Sequence, residues 1–233
     1  MRVLLTRPQE DAEKFAERLR ERGHEMLSAP LLSVRFHDGP PLALDGVQGV
    51  LVTSANGVRA LARRTERRDL PVYAVGPQTA QEAQSAGFAR VENARGDVVA
   101  LAEALPRWAR AEQGVLLHAT GAEGAGRLAS VLAAKGYAVN TAILYDVAAA
   151  IALPEPAARA LRGGSLDAAL FFSPRSAKVF KDCILAAGLA GPCARLIAVC
   201  ISQATAKALS PLSFAEIRVA AHPNQDALLA CLD

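Results

Sequence analysis

Six stretches of this chain place hydroxyl side chains, glycine, proline or arginine directly after a short apolar run. They are Thr6-Arg7-Pro8, Thr53-Ser54-Ala55-Asn56, Gly76-Pro77-Gln78-Thr79, His118-Ala119-Thr120-Gly121, Ser173-Pro174-Arg175-Ser176 and Ser202-Gln203-Ala204-Thr205. Each stands where a helix opens. Small hydroxyl residues in that position cap helices, and one such turn alone implies no more than capping. Together, at the ends of parallel strands, these turns would gather backbone N–H groups and positive helix ends into a surface that binds anions. The chemistry they imply is recognition of carboxylates or phosphates.

Other chemistry-bearing patterns are missing. No GxGxxG follows the first strand and no GxxxxGK[ST] loop is present. Gly121-Ala-Glu-Gly124-Ala-Gly126 has the wrong spacing for either and reads as a flexible turn. His24, His37, His118 and His222 show no metal spacing. Of these only His118, at a strand end, is a site candidate, and a neutral loop histidine is the plainer reading. GxSxG is absent. The run Arg59, Arg63, Arg64, Arg67, Arg68 reads as a basic, solvated helix edge. Tyr145, in Ile143-Leu144-Tyr145-Asp146-Val147, is one of three tyrosines. It is either a packing residue or a phenol able to donate a hydrogen bond or a proton.

These residues need a scaffold, and the apolar pattern supplies one. Val3-Leu4-Leu5 precedes Gln9 to Arg22, where Ala12, Phe15, Ala16 and Leu19 recur at helical spacing and Gly23 stops the helix. A second strand is expected around residues 26–34. Others are expected at 50–52, 72–75, 115–117, 142–145, 168–172, 196–201 and 217–220, mostly with helices after them. Continuous apolar strands interleaved with helices predict α/β architecture with parallel sheets covered on both faces. Ligands of such sheets bind beyond the carboxyl ends of the strands, which is where the six turns fall.

An internal repeat divides the chain. Residues 23–29 match 136–142, Val50 to Leu61 matches Ala169 to Phe180, and Gly76-Pro-Gln-Thr79-Ala80 matches Ser202-Gln-Ala-Thr205-Ala206. Two related α/β domains follow, either broken near residue 112 or with one inserted into the other. Asp38-Gly-Pro-Pro41 and Leu153-Pro-Glu-Pro156 read as linkers and favour the inserted arrangement, with a hinge and a cleft.

Bulk composition narrows the class. Hydrophobic residues make up 52% and charged residues 21%, with a net charge of +3, too small to argue for nucleic acid. Cys183, Cys193, Cys200 and Cys231 lack CxxC spacing and read as reduced thiols. The N-terminal apolar run is too short for a signal peptide, and no membrane-spanning run occurs. A cytoplasmic protein is the expectation.

The strand-end motifs resemble those of the uroporphyrinogen-III synthase family. The resemblance rests on Val3-Leu-Leu-Thr-Arg-Pro8, Val52-Thr-Ser-Ala-Asn-Gly-Val58, Tyr73-Ala-Val-Gly76 with Thr79, Leu144-Tyr-Asp146, Phe171-Phe-Ser-Pro-Arg-Ser176, Ile201-Ser202 with Thr205, and Pro223-Asn-Gln-Asp-Ala227. It implies two flavodoxin-like parallel-sheet domains joined by a two-stranded connector, with a cleft between them. Domain 1 would comprise residues 1–35 and 150–233, and domain 2 residues 36–149. It implies a cofactor-free, metal-free lyase that dehydrates and cyclises hydroxymethylbilane to uroporphyrinogen III, inverting ring D. It also implies that Tyr145 protonates the departing hydroxyl. Substrate would be held by Thr6, Arg7, Ser54, Asn56, Thr79, Ser173, Ser202 and Thr205.

Two departures stand out. His118-Ala119-Thr120-Gly121 lacks an arginine the family often carries before the glycine, and Cys200-Ile201-Ser202-Gln203 is poor in glycine. The expected partner is hydroxymethylbilane, with a transient hand-over from hydroxymethylbilane synthase, no nucleic acid, no membrane and a monomeric state. The competing readings are a non-enzymatic two-domain protein binding an anionic small molecule, and a nucleic-acid-binding protein resting on the arginine run.

Overall fold

A computed structural model describes residues 1–233, with the side chains of Gln9, Glu10, Asp11 and Lys14 outside the description. The elements, in chain order, begin with β1 (Arg2–Leu5), α1 (Gln9–Glu21), β2 (Glu25–Ser28) and β3 (Leu32–Phe36). There follow β4 (Val47–Val52), α2 (Ala55–Arg64), β5 (Val72–Ala74), α3 (Pro77–Ser85), β6 (Val91–Asn93), α4 (Val98–Ala104), β7 (Val115–Gly121), α5 (Arg127–Ala133) and β8 (Val139–Ala149). The last part holds α6 (Glu155–Arg162), β9 (Ala168–Phe171), α7 (Pro174–Ala186), α8 (Ala190–Cys193), β10 (Ile197–Cys200), α9 (Gln203–Lys207), β11 (Glu216–Val219) and α10 (Gln225–Ala230). The chain divides into two compact units, Met1–Ser33 with Ala148–Asp233, and Val34–Val147.

In the first unit the sheet runs β11-β10-β9-β1-β2, parallel throughout. Counted within the unit, that is the flavodoxin-like order 2-1-3-4-5. Its central strands are buried on both faces, as their unbroken apolar runs predict. Leu4, Ala169 and Phe171 pack on one side with Phe180, Ile184 and Leu161 of α7 and α6. Val3, Leu5 and Leu170 pack on the other with Phe15, Leu19 and Leu228 of α1 and α10.

In the second unit the sheet runs β3-β8-β7-β4-β5-β6, with β4 to β8 paired in parallel. Counted from β4, its parallel strands follow the order 3-2-1-4-5. Val50, Val52 and Ala119 face α2 and α3, while Leu51 and Leu116 face α4 and α5. The repeat is visible in the helix ends. Gly23 and Gly136 both adopt positive φ, +73° and +85°. Each donates to a carbonyl three residues back, and the following N–H reaches five back, which closes α1 and α5 alike.

Several expectations need correction. Residues 26–34 are two strands in different sheets, because Pro30 lacks the N–H a continuous ladder requires. The chain passes from one unit to the other within β3 and near the end of β8, not in the proline-rich stretches. Pro154 is instead the N-cap of α6 and Pro156 lies in its first turn, where a missing N–H costs nothing. Sequence reading missed β6, three residues with a single apolar position at 91.

Candidate functional site

In parallel sheets the crevice opens where the strand order reverses, outside the carboxyl ends. In the second unit that point lies between β4 and β7, and in the first between β1 and β9. The candidate residues fall at these two points or one strand beyond. Gly76, Ser54, Ser173 and Ser202 are the N-caps of α3, α2, α7 and α9, each two residues past the end of its strand. The three serines accept from the N–H three residues on, at 3.1 Å to Gly57, 3.1 Å to Ser176 and 3.3 Å to Thr205. Ser54 and Ser173 thus occupy the same place in the two halves of the repeat, and so do Thr79 and Thr205, both buried at the third helical position.

In the second unit, Ser54 Oγ lies 2.8 Å from the Tyr145 hydroxyl. Two glycines permit that approach. A Cβ on Gly57 would stand 2.7 Å from the Ala119 carbonyl, and one on Gly121 would stand 2.7 Å from the Tyr145 ring. Tyr145 is 7% exposed, while Ser54 and Asn56 are half-buried. The Asn56 carbonyl accepts from Arg59, whose guanidinium also pairs with Glu82 at 2.9 Å and so ties α2 to α3. Behind Tyr145, Asp146 accepts from His37 Nε2 at 2.7 Å.

In the first unit, the Arg7 guanidinium lies 4.5 Å from the centre of the Phe172 ring, and Phe172 meets Phe15 edge-on. Ser173 and Ser176 are linked through their hydroxyls at 3.1 Å, and Ser202 and Thr205 at 3.0 Å. Thr6 behaves differently from the rest. It is fully buried and its hydroxyl donates to the Leu170 carbonyl at 2.6 Å. We therefore assign Thr6 to strand pairing instead of ligand contact. Thr6→Val is expected to cost about 1 kcal/mol in urea unfolding and to leave turnover unchanged.

Two further readings need correction. His118-Ala119-Thr120-Gly121 is not a turn but the second half of β7, and His118 is fully buried against the α4–α5 side of the sheet. Neither ring nitrogen finds a hydrogen-bond partner, and burial pushes its pKa down to about 4. The arginine run is a solvated edge only in part, since Arg63 and Arg67 are exposed and Arg59, Arg64 and Arg68 are half-buried. Arg63 lies over the Phe36 ring, Arg64 donates to the carbonyls of His37 and Pro40, and Arg68 binds the carbonyls of Ala62, Thr65 and Ala86. These arginines fasten loops, which explains their number without invoking nucleic acid. A cavity of about 480 Å³ lined by Gly39, Pro41, Arg63 and Arg64, and another of about 430 Å³ lined by Pro106, Arg110, Lys135 and Tyr137, take in no candidate residue. Among the described residues no group of acidic, histidine or cysteine side chains could hold a metal, and no helix is long and apolar enough to cross a membrane.

The strand-end geometry alone fits many α/β proteins. The family model of uroporphyrinogen-III synthase HemD matches residues 13–230. The chain belongs to the uroporphyrinogen-III synthase family. That family consists of cyclising lyases of porphyrin and haem biosynthesis acting on a tetrapyrrole, which places the chain among enzymes and not among simple binding proteins. The family match takes in Ser54, Asn56, Thr79, Tyr145, Ser173, Ser202 and Thr205, and leaves Thr6 and Arg7 outside it. The fold is similar to that of uroporphyrinogen-III synthetase from Helicobacter pylori, with 19% identity over 100% of this chain and 98% of that one and a TM-score of 0.66. It is also similar to a mutant uroporphyrinogen III synthase from the extremely thermophilic bacterium Thermus thermophilus, with 19% identity over 100% and 96% and a TM-score of 0.55. No curated protein matches the chain.

Sequence reasoning names Gly57, Gly121 and Ser176 only as members of strand-end motifs and gives none of them a part of its own. The part of the first two shows only once it is known what packs on them. Ser176 carried a local signal, since it stands three residues after the capping Ser173.

Proposed function

We propose that this chain converts hydroxymethylbilane to uroporphyrinogen III, with loss of water and inversion of ring D. The observation that carries the reading is the family match across nearly the whole chain. The residues at the strand ends suit the task. The substrate is a flexible chain of pyrroles bearing eight carboxylates, and helix openings capped by serine offer positive ends and hydroxyls to such groups. We infer that Asn56 in one unit, and Arg7, Ser173 and Ser202 in the other, hold side-chain carboxylates, with Ser54 turned to the reacting end of the chain and Thr79 and Thr205 buried in the first turns of their helices.

The pyrroles themselves supply the electrons that expel the terminal hydroxyl, giving an azafulvene cation. Ring D then attacks through its substituted carbon, and the spiro intermediate fragments and closes the other way. Left alone the bilane closes without inversion, so the protein's main contribution is to hold a folded geometry. A phenol that supplies the proton for the leaving hydroxyl, directly or through a neighbour, is sufficient acid catalysis, and Tyr145 is the residue we place as that source.

The chain is proposed to work as a cytoplasmic monomer that receives its substrate from hydroxymethylbilane synthase. Support comes from the four unpaired thiols, three of them buried, which suit a reducing compartment. The test couples the purified protein to hydroxymethylbilane synthase and porphobilinogen and separates the oxidised porphyrin isomers. Excess type III isomer is expected. A product mixture identical to the protein-free control, all type I, would rule the reading out.

A further inference from the structure

The Ser54–Tyr145 pair allows one more step, which rests on the reading that the chain dehydrates hydroxymethylbilane. The two hydroxyl oxygens are 2.8 Å apart, and distance alone leaves either one as the donor. The surroundings decide the direction. A serine hydroxyl has one proton and two acceptor lone pairs. The Gly57 N–H occupies one lone pair of Ser54 Oγ at 3.1 Å. Were Ser54 to donate to Tyr145, the phenol proton of a residue only 7% exposed would have no acceptor, because Ser54 is its one hydrogen-bond partner among the described residues. An unmet buried donor is costly, so Tyr145 donates and Ser54 accepts. The serine's own proton is then left for a partner outside the pair, on a half-buried residue two positions past the end of β4.

We propose that Ser54 Oγ, not the tyrosine oxygen, hands the proton to the departing hydroxyl, and that Tyr145 is the proton source behind it. As the terminal C–O bond breaks, the Ser54 proton moves to the leaving oxygen and water departs. The Tyr145 proton passes to Ser54 Oγ, leaving a phenolate, while a pyrrole nitrogen lone pair becomes the new double bond of the azafulvene cation. After ring closure the ring carbon that formed the last bond loses its proton, which returns through Ser54 to the phenolate. The sum is loss of one water and no net change in the protein. Gly57 and Gly121 act as positioning residues, since a side chain on either would force the two hydroxyls apart.

Ser54 also caps α2, so the test must separate the cap from the relay. Asparagine caps as well as serine but carries no hydroxyl to relay a proton, whereas threonine keeps both functions. Ser54→Asn is expected to keep the wild-type melting temperature to within a few degrees and to lose severalfold in kcat, with KM within about threefold. Tyr145→Phe should lose a similar factor, and the double variant should fall no lower than either single one. Ser54→Thr should recover most of what Ser54→Asn loses. Should Ser54→Asn fail to fold, Ser54→Gly, which also caps tolerably, is read in its place.

Retained kcat in Ser54→Asn, a rise in KM alone, or losses that multiply in the double variant would each overturn the relay. If Tyr145→Phe loses turnover while Ser54→Asn does not, the relay fails and the tyrosine's role stands. If neither changes kcat in a protein that still yields type III product, the relay and the tyrosine's role fail together and the family function survives.

Discussion

A protein carrying Tyr145→Phe is expected to turn over severalfold more slowly, while its melting curve stays close to that of the wild type. The ring is held by packing that phenylalanine preserves, with the Phe36 ring 6.4 Å away and Gly121 directly beneath it. The change removes one hydroxyl, and Ser54 keeps its bond to the Gly57 N–H. The stability cost is therefore that of a single hydrogen bond, about 1 kcal/mol. The catalytic cost is larger in proportion, since each factor of ten corresponds to about 1.4 kcal/mol of barrier. The loss is bounded because the pyrroles drive the departure of water and the phenol only assists it. Unchanged turnover in this variant would demote Tyr145 to a packing residue.

The second large effect concerns acid stability and resides in His118. Its imidazole is buried in β7 with neither nitrogen bonded, and burial lowers its pKa from 6.5 to about 4. The folded chain therefore holds His118 neutral at pH values where the unfolded chain has already protonated it. Stability from this residue is fully present above pH 6.5 and is lost as pH falls toward 4. At pH 4.5 the loss is on the order of 2–3 kcal/mol relative to pH 7.5. His118→Leu should flatten the dependence, so that between pH 7.5 and pH 4.5 the variant loses less urea stability than wild type by roughly that amount. Parallel pH profiles for the two proteins would show that His118 finds a partner or water in solution.

The parts of the fold set by local chemistry could be read from the sequence. Val3-Leu4-Leu5 and Ala168-Ala169-Leu170 announced buried parallel strands because all six are fully shielded from solvent. Ser54 and Ser173 could be picked out because capping depends on the next three residues only. The Ser54–Tyr145 contact could not be seen that way. It joins residues 91 positions apart and depends on the register of β7 against β8 and on two glycines whose missing side chains make the room. His118 was misplaced because β7 runs four residues beyond its apolar start, through His-Ala-Thr-Gly, where polarity suggests a turn. The arginine run was misjudged in part, for the opposite reason. A charged residue reads as solvated until the carbonyls it binds are known, and those lie on loops up to 27 residues away.

The central claim is that substrate carboxylates are held at the strand-end helix openings of both units. Amide hydrogen exchange with and without uroporphyrinogen III, kept reduced, addresses it directly. Protection is predicted at residues 53–58, 76–80, 173–177 and 202–206. Protection confined to other surfaces, such as the cavity walls at 62–66 or 106–112, with these four segments unchanged, would contradict it.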